Sequence, residues 1–158
     1  MKYTVKIADI KDKPVIHTML QNYLRDLTEF ETISQNESGE YKYPYLKYYW
    51  TENNRYPYIL YCNADISGFA LVSKEEKFFS MAEFSVLPNF RRNGLGTSYA
   101  LEIIYKYPGK WHIEYNIKNT GGMQFWNTLI LNLVGAHYTK GPGEEENREY
   151  LEFIVGGK

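Results

Sequence analysis

A chain of 158 residues with a formal net charge of −1 can bury roughly two thirds of its unfolded surface in one core, without a disulfide or a metal to hold it together. That charge balance offers no basic field to nucleic acid, and the only cysteine, Cys62, excludes an internal disulfide. The opening "MKYTVKIADIKDK" has no apolar signal core and the longest apolar run, "LILNLVGA", falls far short of a membrane span, so the expectation is a cytoplasmic protein with no membrane partner, one domain over residues 1–158.

"YTVKIA" alternates as a strand does, and "KDKPVIHTMLQNYLRDL" follows with Val15, Ile16, Met19, Leu20, Tyr23, Leu24 and Leu27 at three-four spacing. That spacing predicts a one-faced helix, with Asp12 as its N-cap and Pro14 in its first turn. Residues 28–57 are polar and carry Gly39 and two prolines, so they read as an irregular segment with at most one short helix around Tyr45 to Trp50. Irregular segments of that length in compact domains are functional or mobile. "YPYILYCN", "ADISGFALVSK" and "KFFSMAEFSVL" read as three strands in an antiparallel meander. Leu95, Tyr99, Ala100, Ile103 and Ile104 then form a helix face ended by Pro108 and Gly109. "KWHIEYNI" is another strand, Gly122, Phe125, Trp126, Leu129, Ile130 and Leu133 mark a further helix, and "AHYTKGPGEEENREYLEFIV" closes the chain as two strands around a glutamate-rich loop.

Where the third meander strand hands over to a helix the chain reads "NFRRNGLGTS". Glycines cost backbone entropy there and contribute no packing, so their use must lie in an exposed backbone. The first turn of a helix has unpaired N–H groups and about half a positive charge in effect, which makes it a site for anions. Gly94 and Gly96 remove side chains that would keep a phosphate away, and Arg91 and Arg92 supply charge at the rim. A pyrophosphate fits this description. Neither common nucleotide motif does: no lysine with a following Ser or Thr succeeds the glycines, and "GLG" lacks the third glycine of a dinucleotide fingerprint.

The string "FSVLPNFRRNGLGTSYALE" resembles the cofactor motif of the GNAT superfamily of N-acetyltransferases, with Val86, Pro88, Arg91, Gly94 and Gly96 in place. Asn119, Gly122 and Trp126 resemble its second signature, an Asn followed by a small residue three on and an aromatic seven on. The resemblance implies an α+β fold: a mixed, mostly antiparallel twisted sheet of about six or seven strands, flanked by helices, with a V-shaped splay between the fourth and fifth strands. It also implies acetyl-CoA as co-substrate, no metal, and transfer to a primary amine of a small molecule or peptide. On that analogy the backbone of Phe84 and Val86 would hold the pantetheine arm and acetyl carbonyl, and the N–H groups of Arg91, Arg92, Asn93, Gly94, Leu95, Gly96 and Thr97 would wrap the pyrophosphate. Asn119 would hold the pantetheine and Trp126 would line the channel near the sulfur.

Strand alternation puts Met81, Glu83, Ser85 and Leu87 on one face and Ala82, Phe84 and Val86 on the other. Many family members use a glutamate on this strand to take the amine proton, which makes Glu83 the candidate general base; the competing reading is a solvated charge. Trp126 departs from the tyrosine that many members carry there as an acid, since an indole N–H is no usable acid, and Tyr138 is a candidate substitute. This departure keeps a CoA-binding module without transferase activity as the alternative. Cys62 reads as an inert strand residue, and His17, His112 and His137 show no ligand spacing. Tyr41, Tyr43, Tyr45, Tyr48, Tyr49 and Trp50 read as a wall for an amine through cation–π contacts, as packing, or as a homodimer contact.

Overall fold

The structure is a computed structural model and describes residues 2–156. In chain order the elements are β1 (Tyr3–Ile7), α1 (Lys13–Leu27), β2 (Arg55–Cys62), β3 (Asp65–Lys74), β4 (Phe79–Val86), α2 (Leu95–Lys106), β5 (Gly109–Asn116), α3 (Thr120–Val134), β6 (Tyr138–Pro142) and β7 (Arg148–Val155). Short 3-10 turns occupy Ile10–Asp12, Leu46–Trp50 and Pro88–Phe90. The first of these displaces the expected helix cap. Asp12 makes no side-chain cap bond to α1; instead Asp9 Oδ1 accepts the Lys11 N–H at 2.9 Å and Asp12 Oδ2 accepts the Asp9 N–H at 3.1 Å. Reciprocal capping of this kind satisfies donors that a helix start leaves orphaned, and here it acts on the 3-10 turn ahead of the helix.

Among the described residues seven strands form one open mixed sheet, in the order β1-β2-β3-β4-β5-β7-β6. Strand alternation sends Ile59, Phe69 and Leu71 to one face, where they pack with Ile16, Leu20 and Leu24 of α1. Leu60, Ala70 and Val72 go to the other face with Tyr99, Ile103 and Ile104 of α2 and Ile130 of α3. Each of these side chains is at most 5% exposed, and burying one of the Leu, Ile, Val or Phe side chains contributes about 1.5–3 kcal/mol. None of the helices among the described residues is long and apolar enough to cross a membrane.

All neighbouring pairs are antiparallel except β4 and β5. Parallel strands require a crossover, and α2 supplies it. The parallel pairing is short: Phe79 faces Trp111 and Ser80 faces His112, after which the strands part. β5 meanwhile stays paired with β7 along its whole length, from Gly109↔Val155 to Asn116↔Arg148. From Met81 onward the β4 edge turned toward β5 therefore has no strand partner, which is the splay that the motifs imply.

The register between β3 and β4 slips next to the point where β5 leaves β4. Leu71 faces Glu83 but Val72 faces Met81, so Ala82 has no partner. An extra residue of this kind bends the strand and raises its twist. It also corrects the simple alternation. Met81 packs in the α2–α3 core with Phe84 and Val86, while Ala82 packs on the α1 side. Glu83 keeps its expected opposition to Phe84, because both lie beyond the extra residue.

Candidate active site

After β4 the chain makes the 3-10 turn Pro88–Phe90, and residues 91–94 run exposed over the surface. Arg92 and Gly94 both take left-handed backbone angles, φ +69° and +82°, which glycine adopts freely and arginine does not. The two reversals bring the chain into α2 with Gly94 as N-cap and Leu95 buried as its anchor. Ser98 N–H is the first bonded into the helix, to Gly94 O at 3.2 Å, and Leu95 N–H is held by Asn93 Oδ1 at 3.3 Å. The amides of Gly96 and Thr97 fall in the first turn, where an α-helix offers no acceptor. Arg91 and Arg92 are exposed at the rim. Arg91 is also an anchor, since its Nε donates to the Val86 carbonyl at 2.6 Å and ties the loop to the end of β4.

Three aromatic rings cluster on the α2–α3 side of β4. Phe84 lies stacked against Phe125 at 5.8 Å and edge-on to Trp126 at 5.4 Å, and Trp126 meets Phe125 edge-on at 4.8 Å. Gly96 lets α2 start close to this group, because a Cβ there would sit 3.2 Å from Phe125 Cε1. Asn119 is the N-cap of α3 and accepts the Gly122 N–H at 3.0 Å. The asparagine and the small residue three positions on thus form one capping device. A groove of 530 Å³ runs between the two helices from Thr97 and Gly121 past Leu101, Gln124 and Phe125 to Leu129. Leu87 N–H bonds the Ser67 carbonyl of β3 at 2.8 Å, and alternation then turns the N–H groups of Phe84 and Val86 and the Phe84 C=O to the bare edge, where the Val86 C=O is taken by Arg91.

Glu83 lies on the opposite side of β4. Tyr43 donates its hydroxyl to Glu83 Oε2 at 2.9 Å, and the Tyr23 hydroxyl faces the same carboxylate. Burial pushes the Glu83 pKa from its ordinary 4.5 up to about 7, against the stabilising phenol hydrogen bonds and the Arg148 charge. Arg148 itself is bonded elsewhere, to Glu114 at 3.1 Å and Glu31 at 3.8 Å, and Asn116 Nδ2 donates to Glu31 at 3.2 Å. The structure therefore gathers Glu31, Glu83, Glu114, Arg148, Tyr23 and Tyr43 from five parts of the chain. Of these, only Glu83 follows from the sequence as a base. Tyr43 carries a signal as one of the clustered tyrosines, and Arg148 and Glu114 carry none.

The tyrosine cluster divides. Arg55 lies over the rings of Tyr45, Tyr48 and Tyr49 at 5.3–5.7 Å, so the chain's own arginine takes the cation–π faces expected to receive an amine. Tyr138 pairs with Phe153 in the sheet and packs against the α2–α3 core. Cys62 is buried at the end of β2. His17 bonds Glu40, and His112 lies between Glu114 and Glu152.

The family model described as "Acetyltransferase (GNAT) family" matches residues 19–121, more than half of the chain. The chain belongs to the GNAT acetyltransferase family. Solved structures share its fold at low identity. A Thermus thermophilus acetyltransferase aligns with TM-score 0.70 at 10% identity, covering 98% of each chain. The ribosomal-protein-S18-alanine N-acetyltransferase of Escherichia coli gives 0.65 at 12%, covering 99% of this chain and 96% of that one. The PaiA N-acetyltransferase of Thermoplasma acidophilum, solved in complex with coenzyme A, gives 0.66 at 10%, covering 98% and 100%. Compared by sequence with curated proteins, the chain finds no match. The first GNAT-like motif ends β4 and opens α2, and the second opens α3.

Proposed function

We propose that this GNAT protein is a cytoplasmic, acetyl-CoA-dependent N-acetyltransferase that acts on a primary amine of a small molecule or peptide by direct attack in a ternary complex. The observation that carries this reading is the bare edge of β4, with an anion-ready helix start on one side and a carboxyl of raised pKa on the other. A solved relative of the same fold holds coenzyme A.

The local chemistry fits such a co-substrate. The outward loop from Arg91 to Thr97, with Gly94 and Gly96 bare of side chains, offers amides and two guanidinium groups to a diphosphate. The edge amides of Phe84 and Val86 offer donors to an extended amide-bearing arm, and Asn119 and Trp126 line its path. When bound, acetyl-CoA supplies an activated acetyl group. The chain's contribution is to fix that group at the edge and to aim N–H donors where negative charge develops.

Glu83 removes a proton from the incoming ammonium. A carboxyl near pH 7 is matched to that task, since it is partly ionised at working pH yet basic enough to take a proton. Glu31, Glu83 and Glu114 outnumber Arg148, which draws a cationic acceptor to this side. Trp126 provides no acid, so no proton donor stands at that position. Cys62 is buried at the end of β2, which supports direct attack without a thiol relay.

The test is release of free thiol from acetyl-CoA across a panel of amines, together with thermal stabilisation by CoA. Amine-dependent release is expected. Failure of CoA to raise the melting temperature overturns the reading, and tight CoA binding without turnover on any amine replaces it with a binding module.

A further inference from the structure

Residues 34–42 form a small closed loop. Gln35 bridges to Tyr41, Lys42 N–H bonds Ser34 O at 2.9 Å, and Asn36 N–H bonds Glu40 O at 2.8 Å. Asn36 Oδ1 also accepts the N–H groups of Ser38 and Glu40 at 2.9 and 3.0 Å. The loop is pinned to α1 at two points. The Gln21 amide pairs with the Tyr41 backbone as a strand neighbour would, with both bonds at 2.8 Å, and His17 Nε2 meets Glu40 Oε2 at 2.7 Å. Two residues past the pin, Tyr43 turns inward and reaches Glu83. Two residues past Gln21 on α1, Tyr23 is held edge-on against Phe69 at 5.7 Å and faces the same carboxylate.

We infer that Tyr43, carried by the loop that Gln21 pins to α1, is a positioning residue that with Tyr23 fixes the orientation of the Glu83 carboxylate for the acceptor amine. This rests on Glu83 acting as the base. A carboxylate offers about four acceptor positions; phenols that fill a share of them leave a defined remainder for the substrate. Burial, followed by the neighbouring Glu83 charge, raises the Tyr43 pKa far above its ordinary value. Tyr43 therefore stays a donor over any working pH. The other groups facing Glu83 are Tyr23 of α1, Glu31 after α1, Tyr49 of the irregular segment and Arg148 of β7.

Tyr43→Phe keeps the ring and removes the donor. The ionised form of Glu83 loses a stabilising hydrogen bond, so its pKa rises by about one unit. The experiment compares wild type, Tyr43→Phe and Gln21→Ala in the full chain by three readings. These are CoA affinity by calorimetry, the pH profile of kcat/KM with an accepted amine, and the carboxyl titration of Glu83 by NMR in the free protein. In Tyr43→Phe the acid limb and the carboxyl titration are expected to move up together by about one pH unit, with CoA affinity unchanged. Gln21→Ala is expected to move both in the same direction by releasing the loop. A carboxyl titration that stays in place in Tyr43→Phe overturns the inference, whatever the activity. Absence of turnover in wild type defeats the proposed reaction instead, and the NMR titration still decides the role of Tyr43.

Discussion

Replacing Glu83 by glutamine should change the pH dependence of folding in a way fixed by the site. The carboxyl ordinarily ionises at 4.5 and in the folded chain at about 7. Below pH 4.5 the folded and unfolded chains both carry the proton, and Glu83 contributes no difference. Between these values the unfolded chain releases its proton while the folded chain keeps it, so stability falls as pH rises. Above pH 7 both are ionised, and the accumulated penalty is about 3 kcal/mol, at 1.36 kcal/mol per unit. Glutamine is neutral throughout and escapes it. Urea unfolding of both proteins at pH 4.5 and pH 8 reads the difference directly. The advantage of Glu83→Gln over wild type should grow by about 3 kcal/mol between the two conditions. An offset between the two proteins that does not vary with pH would refute the argument, because it would mean that Glu83 ionises alike in both states.

Arg91→Ala cuts the tie to the Val86 carbonyl and removes a rim charge, and should weaken CoA binding about tenfold by calorimetry; unchanged affinity would place the diphosphate elsewhere. Gly94→Trp forces a side chain onto a left-handed residue, φ +82°, and should weaken CoA binding further while lowering apo stability by about 1 kcal/mol. Gly68→Ala should be harsher on the fold. A Cβ there lies 2.1 Å from Ser85 O on the adjoining strand, so β3 and β4 must separate, at a cost of about 3 kcal/mol or more in urea unfolding. A loss under about 1 kcal/mol would show that the strands yield easily.

What the sequence made legible follows from which interactions are local. Helix and strand periods are written in neighbouring residues, so α1, α2, α3 and the seven strands were readable, and the glycine-rich junction after β4 was readable as an exposed helix start. The splay was readable only through resemblance, because strand separation depends on which partner β5 prefers. The extra residue at Ala82 is not legible, since "SMAEFSV" obeys alternation whether or not a residue is skipped, and simple alternation therefore assigns Met81 and Ala82 to the wrong faces. Asp9 displaced Asp12 as the cap because a 3-10 turn precedes α1. The carboxylate clasp was equally hidden, for Tyr43 stands forty residues from Glu83 and meets it only through a pinned loop. Arg55 shows the same limit: nothing in the spacing of Tyr45, Tyr48 and Tyr49 announces that a cation from the next strand covers them.

The site turns on a property of one strand. Beyond the extra residue at Ala82, successive residues of β4 point to opposite faces, so Glu83 and Phe84 place a carboxyl on the α1 side and a ring on the α2–α3 side from adjoining positions. In a continuous sheet those two sides would be sealed from one another by the next strand. Here β5 stays with β7 and leaves β4 after Ser80, so the sides communicate across a single open edge. On the proposed reaction, reactants held on opposite faces would meet there, within reach of the Phe84 and Val86 backbone. The extra residue at Ala82 and the departure of β5 thus fall at neighbouring positions of β4, and the phenols of Tyr23 and Tyr43 meet the buried Glu83 carboxyl just beyond them.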